Sequence, residues 1–262
     1  MHHCLDETGF MYAYIVKRIL ATIPVMMVVA VFVFGLLHLT PGDPAAIIAG
    51  DYASPSDIEG IREKLGLNEP IPVQFYTWVK SVAQGDLGVS IFSNLPVTKL
   101  IGQRIEPTLM LSLFTIIIAI SVAIPLGVLA AWKSRTFIDR FAMIFAVLGF
   151  SVPVFVIGYI LMYVFAIQLK WLPVQGYKHL ADGLLPCLRS LVLPSIALLI
   201  GGVVVTERVF NIPGLGRLTV DAILHRDYPV IQAIIILFSG VYVLVNLLVD
   251  LSYVFLDPRI RY

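Results

Sequence analysis

Apolar residues in this chain run unbroken over long stretches instead of recurring with the period of a half-buried helix. Four runs, Ile19–Leu37, Thr108–Trp132, Phe141–Leu169 and Pro229–Val249, hold 19, 25, 29 and 21 residues without one Asp, Glu, Lys or Arg. A helix rises about 1.5 Å per residue and a bilayer core is about 30 Å thick, so roughly 20 residues cross it. All four runs meet that length. A fifth, Ser190–Thr206, offers 17 residues, with Pro194 and the pair Gly201-Gly202 inside it. Its ability to cross is open.

Composition agrees with this pattern. Hydrophobic residues make up 59 % of the 262 and charged residues 13 %, against about 25 % charged in a soluble domain. The fold class is therefore all-α, a polytopic helical membrane protein surrounded by lipid. A net charge of +1 gives no reason to expect a nucleic-acid partner. Two cysteines, Cys4 and Cys187, are too few for a disulfide framework and are expected to be reduced. Met11 opens a basic lead into the first run and could be the start of translation instead of Met1. The cluster His2-His3-Cys4 lacks a fourth ligand for a metal. The first run is longer than a signal-peptide core and lacks a small-x-small cleavage site, so an uncleaved span is expected.

Basic residues beside span ends mark the cytoplasmic side. Lys17-Arg18 precede the first run, and Lys133, Arg135 and Arg140 crowd the loop after the second. The predicted order is a cytoplasmic N-terminus (1–18), span 1 (19–39), a periplasmic segment (40–107), span 2 (108–131), a cytoplasmic loop (132–140) and span 3 (141–167). A periplasmic loop (168–190), the short run (191–206), a second loop (207–228), the last span (229–256) and a tail (257–262) follow. If the short run crosses, short segments carry eight basic residues inside and five outside; if it does not, seven and six. Charge leans only slightly towards crossing. The outer segment reads as folded: Ser56 with Glu59 has capping-box spacing, Ile58, Ile61 and Leu65 share a helical face, and Gly66 sits where that helix would stop. A second amphipathic piece covers Val73–Val82 and ends at Gly85-Asp86, its aromatics expected to pack on the membrane-proximal part of the protein.

Enzyme signatures are absent. The chain has no phosphate-cradling G-x-x-x-x-G-K-[ST], no H-E-x-x-H, no C-x-x-C and no G-x-S-x-G. His38, His179 and His225 stand singly. No catalytic, cofactor-binding or metal residue is expected, and no cofactor. Asp250 ends the last run one turn beyond Asn246, and a hydrogen bond to a neighbouring helix is the expected use of a carboxylate there. Pro125 and Pro153 lie within spans and can kink them. The strongest local signature, VFNIPGLGRL (209–218), reads as a tight ordered turn beside a membrane surface, with Pro213-Gly214 turning and Gly216 permissive.

Several pieces together resemble a known family. YIVKRIL (14–20), LTPGDP (39–44), LGLNEPIPVQFYTWVKSVAQGDLGVS (65–90), VFNIPGLGRL (209–218) and DPRIRY (257–262) are similar to the permease subunit of bacterial binding-protein-dependent ABC importers for dipeptides, oligopeptides, nickel and glutathione. The resemblance implies an inner-membrane protein of six spans with both termini cytoplasmic. It also implies partnership with a second permease, two ATPase subunits and a periplasmic solute-binding protein, and a share of the translocation path whose residues are unknown. The family's cytoplasmic ATPase-docking loop, E-A-A-x3-G-x9-I-x-L-P, has no counterpart here. LVLPSIAL (191–198) resembles the start of the family's fourth span and LIGGVVVTERVF (199–210) the end of its fifth, joined directly. By that analogy the join enters from outside and returns outside, as a re-entrant hairpin at Gly201-Gly202 with two arms of about 8 residues, or the last span inverts. Peptide import with doubtful ATP coupling is the implied function; an inactive membrane remnant, or a permease for nickel or another small solute, is the alternative.

Overall fold

The computed structural model describes residues 3–39, 42–49, 53–64 and 66–256. They form helices α1 (His3–Leu39), α2 (Pro44–Ala49), α3 (Pro55–Lys64), α4 (Ile71–Ala83), α5 (Val97–Trp132), α6 (Phe137–Ser151), α7 (Val154–Leu161), α8 (Leu184–Leu198), α9 (Val203–Val209), α10 (Leu215–Leu224) and α11 (Tyr228–Leu256). A π-helical stretch, Met162–Gln168, continues α7. The only β pairing among the described residues is an isolated bridge between Val89 and Pro96. Ile15–Leu39 of α1, all of α5 and Tyr228–Ser252 of α11 are long and apolar enough to cross a membrane. The tail 257–262, and with it DPRIRY, lies outside the described residues.

Two compact units divide the chain: Met1–Thr98 with Asp227–Tyr262, and Lys99–Arg226. The first is organised by α1 and α11, which run antiparallel. Near the middle of α1 the Arg18 guanidinium donates to Asp250 Oδ2 at 2.6 Å from Nε, with Nη2 at 2.5 Å. Near its end, Gln232 donates to the Val33 carbonyl at 3.2 Å. Asp250 thus has the expected helix–helix role, with an ionic partner. α4 is held to the end of α1 by rings: Phe34 lies 5.3 Å from Phe75 and 5.7 Å from Trp78. Those aromatics pack as expected, whereas Tyr76 is exposed.

The outer helices of this unit differ from the sequence reading in one detail. The capping box is Ser54 with Asp57, not Ser56 with Glu59. Ser54 Oγ donates to Asp57 Oδ2 at 2.6 Å and accepts from the Asp57 amide at 3.3 Å; the side-chain and amide bonds from Ser54 hold the Asp57 carboxyl below its ordinary pKa. Pro55 supplies a preset φ at the first helical position, which moves the start two residues earlier. Glu59 instead pairs with Arg62, 2.6 Å away. The end is as expected: Gly66 adopts φ +66°, and its amide and that of Leu67 bond back to Glu63 and Arg62, a left-handed helix stop that glycine accepts without strain. Buried Asp227 then pins the loop before α5, accepting from Ser90 Oγ at 2.5 Å and the Ile91 amide at 3.1 Å.

The second unit is broken where the first is continuous. The third apolar run is not one helix. α6 stops at Ser151, Val152 is extended (φ −99°, ψ 130°), and Pro153 precedes α7. A proline lacks an amide hydrogen and pushes the preceding residue out of the α region. Pro125 interrupts nothing; it sits inside α5.

The short run Ser190–Thr206 is not a single helix either. α8 ends at Leu198, residues 199–202 turn, and α9 begins at Val203. The arms are unequal, 15 and 7 residues, or about 22 and 10 Å. The loop leading into α8 meets the end of α9: the Gly176 amide donates to the Phe210 carbonyl at 2.9 Å. Its tip abuts the Pro153 break. A Cβ on Gly201 would overlap the Val154 side chain, and one on Gly149 would touch Ile200 at 3.9 Å. The turn carries its own hydrogen bonds: Leu199, Ile200 and Gly201 donate back to Ser195 and Ala197, and Gly202 accepts from the Thr206 amide. Leu111, Met162, Leu191, Leu193, Phe210 and Ile212 form the core around it.

Gly201→Ala is expected to destabilise the protein by about 1–3 kcal/mol through overpacking. Adding Val154→Ala should recover part of that loss, read as the thermal unfolding midpoint of the full chain in detergent. Asp250→Asn should cost about 1 kcal/mol, with the exchange Arg18→Asp/Asp250→Arg recovering most of it in the same assay.

Candidate functional site

The sequence signature 209–218 and the hairpin converge on one corner of the second unit. Phe210 and Ile212 are buried, Asn211 takes φ +54°, and Gly214 precedes α10 in an extended conformation. At the centre is Glu207, fully buried on α9. Its Oε1 accepts from Thr108 Oγ1 of α5 at 2.6 Å, and its Oε2 accepts from the Arg217 amide at 2.9 Å. The Gly216 backbone lies close against the same oxygen. Thr108 Oγ1 accepts in turn from the Leu215 amide at 2.8 Å. On the open side, Arg208 pairs with Asp221 at 3.2 Å.

The glycines of the signature have a different use from the one expected. Gly214 and Gly216 are needed for space, not for a left-handed φ. A Cβ on Gly214 would fall on the Glu207 carboxylate; one on Gly216 would lie 2.9 Å from the Val204 Cα and 3.0 Å from Glu207 Oε2. Glu207 itself was not singled out by sequence. An acid ending an apolar stretch, six residues before a Pro-Gly turn, was the available signal.

A second carboxylate, Glu106 on α5, gathers the loop that leads into α8. It accepts from Tyr177 OH at 2.9 Å, the Leu180 amide at 3.0 Å and His179 Nδ1 at 3.2 Å. Burial, the Glu106 bond and the Cys187 thiol raise the Tyr177 hydroxyl well above its ordinary pKa. His179 therefore has an acidic partner that spacing did not reveal, in a loop tie and not a catalytic pair. The other singled-out residues stay apart from this corner. His38 Nε2 lies 3.3 Å from Gln74 Oε1, and His225 Nδ1 lies 2.7 Å from the Asp221 carbonyl. Asn246 lines a groove of about 220 Å³ between α1 and α11 with Arg18 and Asp250. Cys187 is buried and unpaired by disulfide. His2 and the side chains of His3 and Cys4 lie outside the described residues. Among the described residues no group of three or more His, Cys, Asp or Glu could hold a metal ion.

Comparison with known proteins identifies this architecture. Residues 11–112 match the N-terminal part of the binding-protein-dependent transport system membrane component, and residues 177–262 match the binding-protein-dependent transport system inner membrane component. The chain is 45 % identical over 313 aligned positions to the "Probable peptide ABC transporter permease protein y4tP" of Sinorhizobium fredii, covering 96 % of this chain and 100 % of that one. It is 37 % identical over 306 positions to the glutathione transport system permease protein GsiC of Salmonella typhimurium, at the same coverage. The chain belongs to the binding-protein-dependent ABC importer permeases. It is an inner-membrane component of such an importer and not an enzyme; ATP hydrolysis belongs to separate subunits. The permease family's two matched blocks contain both halves of the corner just described: Thr108 lies in the first, and Glu207 and VFNIPGLGRL lie in the second.

Proposed function

We propose that this chain is a peptide-type importer permease subunit with four membrane crossings, both termini cytoplasmic, and an internal deletion that removes the ATPase-docking loop and with it most of its transport. Its partners would be a second permease, two ATPase subunits and a periplasmic binding protein. The peptide cargo rests on the likeness to the peptide permease relative.

The observation that carries the topology is the antiparallel pairing of α1 with α11, Arg18 on Asp250 and Val33 beside Gln232. Helices that cross in opposite directions have their outer ends on the same side, so the number of crossings is even. α1, α5, the α6–α7 pair and α11 supply four. The hairpin, whose far end at Phe210 is bonded to Gly176 in the loop before its first arm, then makes no net crossing. The amides of residues 199–201 and the Gly202 carbonyl are bonded at the turn, as a re-entrant segment at membrane depth requires of its backbone.

The deletion has independent support. The alignment with the peptide permease spans 313 positions while this chain has 262 residues, so at least 51 positions (313 − 262) have no residue here. Leu198 and Leu199, where the family's fourth and fifth spans are joined, sit at the tip of the hairpin. Excising two half-spans and the loop between them would leave such a tip. Without a docking loop, motion of the ATPase has no lever on this subunit.

A reporter fused after Tyr262 should read cytoplasmic; a periplasmic signal would overturn the four-crossing topology. The chain as it stands should support little peptide uptake in cells lacking the intact permease, and a family-like loop inserted between Leu198 and Leu199 should restore it. Full uptake by the unmodified chain would refute the loss of coupling. Failure of the chain to co-purify with its ATPase subunits under any condition favours the second reading, an inactive remnant.

A further inference from the structure

The Glu207 corner has a chemistry that the family assignment does not supply. The first amides of a helix lack intrahelical partners and need acceptors. In α10 these are Leu215, Gly216 and Arg217. Gly214, at the cap position, has no side chain to offer. The acceptors come from two other helices: Thr108 of α5 takes Leu215, and Glu207 of α9 takes Arg217.

The direction of each bond follows. The Thr108 oxygen accepts from the Leu215 amide, so its hydrogen is free to point at Glu207 Oε1. The two groups bonded to the carboxylate are then donors, the Thr108 hydroxyl and the Arg217 amide, one to each oxygen. A carboxylate matches both. A glutamine at 207 would keep the shape but lose the charge assistance of these bonds. Negative charge at a helix N-terminus is favoured as well. The glycines at 214 and 216 leave room for this approach and for nothing larger.

We propose that Glu207 is a positioning residue: an N-cap acceptor lent by α9 to α10 which, through Thr108, ties α5, α9 and the VFNIPGLGRL turn together. Loss of either partner should free the start of α10 without unfolding the rest.

Hydrogen exchange on the full chain in lipid nanodiscs tests this, read at amides 215–217. Glu207→Gln and Thr108→Val should each speed exchange there by about ten-fold, with α11 unchanged. Thr108→Ser, which keeps the hydroxyl, should stay within about two-fold of the unaltered chain. The double variant Thr108→Val/Glu207→Gln should exchange no faster than the faster single one, because both break one network. Unchanged exchange in Thr108→Val, or equal exchange in the Ser and Val variants, would overturn the proposal, as would additive effects in the double variant. Should Glu207→Gln lose protection throughout, the Ser and Val pair at 108 decides alone.

Discussion

A backbone amide or carbonyl at membrane depth has no water to bond, so each must find a partner within the protein. That constraint governs the part of this chain that departs from a plain bundle. A run of 17 residues with two glycines in its middle is a poor single span. It is an acceptable hairpin provided its turn is bonded and covered. Both conditions are met within the second unit. The amides of residues 199–201 return to α8, and the tip rests against Val154 where Pro153 has already opened the third run. One interruption accommodates the other.

Each unit is held by its own set of long-range ties. In the first, an ion pair, an amide side chain and an aromatic cluster join α1 to α11 and α4, and Asp227 secures the loop that leads into α5. In the second, two carboxylates divide the work. Glu106 gathers the loop before α8, and Glu207 gathers the turn before α10. Both are met by residues at the start of α5 or lie there. Carboxylates suit this use because one side chain accepts several bonds at once from a loop whose amides would otherwise be unmatched.

The ties described above come from residues on both sides of Leu198–Leu199, and none of them uses the turn between α8 and α9. The helices of each unit are therefore held together independently of that turn.

The amino-acid sequence by itself determined the helical membrane class, the family and the positions of the long runs, because those depend on composition, run length and local motifs. It also determined the stop at Gly66, where only the backbone of one residue matters. The capping box lay two residues from its sequence position, because Ser54-Pro55-Ser56 offers two serines and the proline decides between them. The fate of Ser190–Thr206 depended on contacts with Val154 and on the meeting of Gly176 with Phe210, 34 residues apart. The use of Gly214 and Gly216 depended on a carboxylate from another helix, and the partner of Asp250 lay 232 residues away. Periodicity and charge counts do not register such approaches; only the folded chain brings the groups within bonding distance, and there sterics and donor–acceptor matching make the choice.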